Sequence, residues 1–466
     1  MLSMTIDGKP VDTRDTFDVV NPATGAVEAQ APECTPEQLD QAMTSAARAQ
    51  KSWKRDDEAR RRTLRDLADA VDAHQEELTA LLVQETGKPR AVAAAEVASS
   101  APWIRYYADL DWPKRVIQDD ATARIEVAHR PMGVVAAITP WNGPVGMWTW
   151  KIAPALRGGN TVVLKPSPFT PLSTLLLGRI GAEVLPPGVI NIVTGGDELG
   201  KAMTSHPTPR KISFTGSIPA GRSVAVNAAH DLKRVTLELG GNDAAIVLDD
   251  ADLEKTAGTL FAFSMFNCGQ ICCIPKRIFV PANRYEEFVD AFGAAARATA
   301  VGDPTDPATA LGPLTTRPQF DRVSELVSDA VARGARVVSG GKPIEGGGYF
   351  FEPTVFADVA EGVRIVDEEQ FGPVIPLLKY DTVDEAVTRA NATDYGLSGS
   401  VWSADEEKAR AVAEQLECGT AWINCHAMLP SHAPFSGAKH SGLGVANGED
   451  GLRSFTEQQV VHTAKG

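Results

Sequence analysis

The sequence predicts an α/β protein built on a parallel sheet covered by helices on both faces. From Gly133 onward, short apolar runs alternate with segments long enough to form helices: Gly133–Thr139, Asn160–Lys165, Gly188–Val193, Lys211–Phe214 and Ala244–Leu248. A strand buried on both faces reads as a continuous apolar run, and alternation with helices is the mark of parallel connections. The chain has 466 residues, 43% of them hydrophobic, which is too long for one small core and implies two or three structural units.

Taken in order, residues 1 to 35 read as short strands and turns, with Asn21-Pro22 as a turn. Thr35-Pro36 starts a helix that runs to about Lys54. From Asp57 to about Gln84, Leu64, Leu67, Val71, Leu78, Leu81 and Leu82 recur at helical spacing until Gly87 and Pro89 stop the run. Arg60, Arg61 and Arg62 read as a solvated helix face, since the chain is acidic overall. Residues 116–130 alternate apolar and polar around a polar turn and predict a hairpin. The second half adds a strand at Arg277–Val280, helices near 284–299 and 318–333, a glycine turn at 346–348 and a strand-helix-strand unit from Val374 to Trp402. There is no repeat and no low-complexity linker.

A formal charge of −15 argues against non-specific binding to nucleic acid or to an anionic membrane. Six cysteines are too few for a disulfide framework and fit a reducing cytoplasm. No signal peptide and no apolar run of membrane-spanning length is visible. The expected partners are small molecules and further copies of the chain.

The chemistry centres on Cys268-Gly269-Gln270-Ile271-Cys272-Cys273. These cysteines read either as buried small hydrophobes or as an exposable nucleophile. Glu238 favours the second reading, because an apolar strand ending in Gly240-Gly241 delivers a carboxylate to a strand end. A zinc site is not expected, since no second cysteine or histidine pair is spaced to complete one. Cys273 reads as packing, and His426 and His432 as core or surface histidines. The segment Gly195–Ala202 has P-loop spacing but places alanine where the magnesium-binding hydroxyl belongs. Phe214-Thr215-Gly216-Ser217 to Gly221, after a strand and opening a helix, is the better phosphate cradle.

Thr139–Asn142, Leu164–Pro166, Phe214–Ser217, Glu238–Gly241, Gly269–Cys272, Glu368–Pro373 and Pro434–Gly442, in this order, resemble the aldehyde dehydrogenase superfamily along essentially the whole chain. The resemblance implies a Rossmann-like dinucleotide-binding domain (1–115 and 131–240), an α/β catalytic domain (241–440) and a small β oligomerisation element (116–130 and 453–466) that makes a homodimer or homotetramer. It implies NAD(P)-dependent oxidation of an aldehyde to its acid: Cys272 attacks, Asn142 and the Cys272 N–H hold the oxyanion, and Glu238 activates the water that hydrolyses the thioester. The cofactor positions it implies are Trp141, Lys165, Ser167, Gly196, Gly216, Ser217, Gly221, Gln319, Glu369 and Phe371. Pro168 stands where many NAD-selective members carry a ribose-binding glutamate, so NAD is favoured while NADP stays open. The substrate tunnel would be lined by Gly143, Met147, Trp150, Ile271, Leu429 and Phe435, a set suited to an uncharged aliphatic or aromatic aldehyde. A coenzyme-A-acylating enzyme, a carboxylate-semialdehyde dehydrogenase and a binding module without turnover are the competing readings. Glu238 opposes the first, because thiol deacylation needs no such base.

Overall fold

The computed structural model describes residues 2–465. One sheet of eight strands runs in the spatial order Gly442–Leu443, Arg234–Glu238, Lys211–Thr215, Val134–Ile138, Thr161–Lys165, Ile190–Ile192, Met4–Ile6 and Lys9–Val11. The five from Arg234–Glu238 to Ile190–Ile192 are parallel, and antiparallel strands close both edges. Parallel alignment brings the ends at Ile138, Lys165, Thr215 and Glu238 to one edge, where ligands of open α/β sheets bind.

A second sheet of seven strands runs Arg336–Ser339, Thr354–Ala357, Val374–Tyr380, Pro275–Pro281, Asp243–Val247, Ser398–Trp402 and Thr420–Ile423. Only its first pair is antiparallel. Successive residues of Asp243–Val247 enter different apolar clusters: Ala244 and Ile246 on one face, Ala245 and Val247 on the other. The chain leaves the first sheet at Glu238 and enters the second at Asp243 after four residues, and Pro275 and Val374 begin strands at the same edge. Loops 239–242, 268–274 and 368–373 therefore lie between the C-terminal edge of one sheet and the N-terminal edge of the other.

The hairpin Arg115–Asp119 and Ala123–Pro131 pairs with the C-terminal strand Thr456–Ala464 in a third sheet. Two expectations are corrected. The run from Asp57 is not one helix but two, Asp57–Ala73 and Gln75–Thr86, broken at His74, whose Nδ1 lies 2.8 Å from the Ala70 carbonyl. The arginines at its start are not a solvated face. Arg60 is buried and donates to the carbonyls of Trp53 and Arg157. Arg61 donates to the carbonyls of Ala108 and Leu110. Only Arg62 is exposed. Carbonyls left over at ends of neighbouring helices recruit the guanidinium forks.

Candidate active site

Glu238 ends its strand fully buried, and neither carboxyl oxygen has a hydrogen-bond partner. Burial first, and the field of Cys272 second, push its carboxyl well above the usual carboxylate range, while Lys151 pulls the other way. Lys151, on the helix Pro144–Arg157, donates to Thr215 Oγ1 at 2.8 Å and Ser213 Oγ at 3.2 Å. Burial brings its ammonium down to about 7, opposed by Glu238.

Cys272 sits on the loop after a tight turn in which Asn267 and Cys268 are left-handed (φ +52° and +56°). Gly269 follows at φ +73°, where any side chain would collide with the Gly372 carbonyl, so glycine is required on both counts. The Cys272 thiol is shifted below its ordinary value by a hydrogen bond from the Cys273 thiol, against burial, with further help from Lys276. Cys273 packs in the apolar cluster as expected, and its thiol is the donor to Cys272. Asn142 is buried beside this loop; its Nδ2 donates to the Gln270 carbonyl at 2.8 Å, and its own carbonyl accepts from Asn267 Nδ2 at 3.1 Å.

Lys276 connects the loops. Its Nζ lies 2.7 Å from the Cys272 carbonyl, 2.9 Å from that of Gly241 and 2.8 Å from Glu369 Oε1. Glu369 Oε1 also accepts the Gly241 N–H. Phe371, left-handed at φ +53°, is held by Gln319 Nε2 through the carbonyls of Gln370 and Phe371, and it meets Trp141 edge-on at 5.3 Å. At the neighbouring strand ends, Ser217 caps the helix Ile218–His230, and Gly221 packs so closely on Leu239 that a Cβ would meet it at 2.5 Å. Lys165 is buried, its ammonium brought down to about 8 by burial, against Asp197 and Glu33. The Ser167 hydroxyl accepts the Phe169 N–H. Space is open beside Gly196, whose N–H reaches Glu33 Oε1 at 3.3 Å. A buried ammonium, a capped helix start, an aromatic pair and an unfilled glycine cradle along one sheet edge fit a dinucleotide.

Trp150, Ile271, Cys272, Leu429 and Phe435 share one small apolar cluster. Met147 lies beside Gly143, where a Cβ would be in ordinary contact with Met147 Cγ and Glu96 Oε1, each at 3.8 Å. Trp103, which sequence reasoning missed, stacks on Trp150 at 5.3 Å. Also missed were Lys276, Lys151 and Glu33, whose one visible signal is charge within or beside apolar runs. His426 is a core histidine with Nδ1 2.8 Å from Ser400 Oγ, and His432 is exposed. No cluster of three or more potential metal ligands occurs among the described residues, and no described helix is long and apolar enough to cross a membrane.

Comparison with known proteins shows the family to which the chain is similar. The sequence pattern of the aldehyde dehydrogenase family matches residues 10–461. The chain is 38% identical to a betaine aldehyde dehydrogenase of Cereibacter sphaeroides, over 99% of this chain and 97% of that protein. It is 41% identical to human retinaldehyde dehydrogenase 3, over 96% of this chain and 89% of that protein. The NAD+ complex of an aldehyde dehydrogenase from Bacillus cereus superimposes with a TM-score of 0.97 at 37% identity, covering 99% of this chain and 96% of that one.

Proposed function

The chain belongs to the aldehyde dehydrogenase family, and we propose that it oxidises an uncharged aldehyde to its carboxylic acid, with Cys272 as nucleophile, Asn142 as oxyanion donor and Glu238 as general base. The observation that carries the reading is a pair of titratable groups pushed in opposite directions at one place. The Cys272 thiol is lowered toward the thiolate, and the buried, unpartnered Glu238 carboxyl is raised toward a stronger base.

The Cys272 sulfur forms a bond to the carbonyl carbon, and the carbonyl π pair moves to oxygen. The Asn142 amide, released from the Gln270 carbonyl, and the Cys272 backbone N–H hold that oxygen. NAD(P), when bound, accepts the hydride that leaves this carbon. Water then adds to the thioester while Glu238 takes its proton, and the carbon–sulfur bond breaks to return the thiolate. Lys151, beside Glu238, favours the ionised carboxylate that this step needs. For the cofactor, Lys165 and Ser167 would hold the adenosine ribose, Gly196 and Gly216 to Gly221 the pyrophosphate, and Glu369 the nicotinamide ribose, with Trp141, Gln319 and Phe371 shaping that end. NAD is favoured over NADP, because Glu33 and Asp197 surround Lys165 with negative charge that opposes a 2′-phosphate. The aromatic and aliphatic lining of Trp150, Ile271, Leu429 and Phe435 supports an uncharged substrate.

The test is pre-steady-state turnover of Glu238→Gln with an aldehyde and NAD. The variant is expected to give a burst of about one reduced cofactor per site, followed by turnover slowed about 100- to 10,000-fold, the usual contribution of a general base. Normal steady-state turnover would remove Glu238 from deacylation. Recovery of the wild-type protein only on adding coenzyme A would replace hydrolysis by acyl transfer.

A further inference from the structure

The helix Pro144–Arg157 begins two residues after Asn142 and has no side-chain cap of its own, its N-cap being Gly143. Its first free N–H groups, those of Val145 and Gly146, both donate at 3.0 Å to Glu96 Oε1, from the distant helix Arg90–Asp109. The other oxygen, Oε2, pairs with Lys88, which is almost fully buried. The loop that carries Lys88 is itself tied to the nucleophile loop. Thr315 donates through its hydroxyl to the Thr86 carbonyl at 2.9 Å and through its N–H to Gln270 Oε1 at 2.9 Å. The Gln270 carbonyl in turn accepts the Asn142 amide. Bonds thus run from Asn142 through Gln270, Thr315, the 86–88 loop, Lys88 and Glu96 back to the helix that Asn142 precedes.

We propose that Glu96 is a positioning residue for the oxyanion hole: held by Lys88, it fixes the start of the helix Pro144–Arg157 and through it the Asn142 amide. The proposal rests on the role given above to Asn142. An oxyanion donor acts only when placed in advance to within a fraction of an ångström. A helix start with two unpaired N–H groups can shift, and a remote carboxylate cap removes that freedom. Lys88 balances the charge, so the cap does not set an unpaired anion beside the oxygen on which negative charge develops. The carboxylate packs directly on this first turn, since a Cβ built at Gly143 or Gly146 would be in ordinary van der Waals contact with Glu96 Oε1, at 3.8 and 3.7 Å.

Two reactions of the Cys272 thiol separate positioning from general damage. Alkylation by iodoacetamide forms no oxyanion; acylation by 4-nitrophenyl acetate passes through one. Glu96→Ala should be alkylated within about two-fold of the wild-type rate and acylated at least about ten-fold more slowly, a lesser effect than the roughly 100-fold or more expected for losing the donor itself in Asn142→Ala. Glu96→Gln, which keeps an acceptor oxygen, should recover part of the acylation rate. Unchanged acylation of Glu96→Ala, or alkylation falling in parallel with it, overturns the proposal. If Asn142→Ala itself slows both reactions equally or neither, the oxyanion assignment fails first, and that outcome is distinct from a split in Asn142→Ala that Glu96→Ala does not share.

Discussion

Lys276 makes ion-pair and carbonyl contacts with three loops at once, and its cation is one of the influences that lower the Cys272 thiol. Lys276→Met removes that cation without shortening the side chain much. The pH midpoint for iodoacetamide alkylation should rise, since loss of a nearby positive charge favours the thiol over the thiolate. Glu369 should also bind the cofactor less well, having lost its tether. A midpoint equal to the wild type, in a variant that still melts cooperatively, would show that Cys273 alone sets the thiol. Cys272, Glu238 and Asn142 stood out in the sequence as candidates because each stands in a short segment whose glycines and apolar neighbours already define a strand end or turn. Lys276 and Lys151 did not. A lysine in sequence reads as solvated, and their burial depends on partners far along the chain, Ser213 and Thr215 for Lys151 and Gly241 and Glu369 for Lys276.

The same division appears among the helices. Starts capped by a residue next door, at Thr35 and Ser217, were legible from spacing. Starts capped from afar were not: Glu96 caps the helix Pro144–Arg157, and Glu85 caps the helix Leu172–Val184, accepting the N–H groups of Leu172 and Ser173 and the Ser173 hydroxyl. The His74 break was missed for a different reason, that leucine spacing continues through it. Glu85 carries a pH signature. Burial pushes its carboxyl up from 4.5 to about 7, against the hydrogen bonds from Ser173 and Leu172. The folded state therefore binds this proton more tightly than the unfolded chain. Its contribution is fully present below about pH 4.5 and is lost as pH rises through about 7, a change of about 3 kcal/mol at roughly 1.4 kcal/mol per unit. Glu85→Gln cannot titrate, so its stability relative to the wild type should improve across that window in urea unfolding measured pH by pH. A pH-independent difference would mean that the carboxyl ionises as readily as in the unfolded chain.

Across the whole molecule, periodicity predicted the hairpin by itself, and it was the family resemblance that grouped it with the C-terminal strand in one element. Their joining into one sheet depends on pairing partners more than 300 residues apart, such as Thr456 with Pro131, which no local signal encodes. The strand Thr456–Ala464 forms one edge of this sheet and is exposed along most of its length. Consecutive residues of a strand point to opposite faces, so the exposure of both Val460 (61%) and Val461 (40%) means that neither face is covered there. Val116 and Ile117, on the opposite edge strand, are exposed as well. Long, uncovered edge strands with apolar side chains are templates for pairing with another chain, and a second copy of this protein is the occupant already expected of the element. Val460→Lys with Val461→Lys places charge on both faces without touching the two larger sheets. The double variant should sediment at a lower mass than the wild type while Cys272 is alkylated at an unchanged rate. If both proteins sediment alike as oligomers, the interface lies elsewhere. If the wild type is itself a monomer, the exposed strand has no second copy to meet.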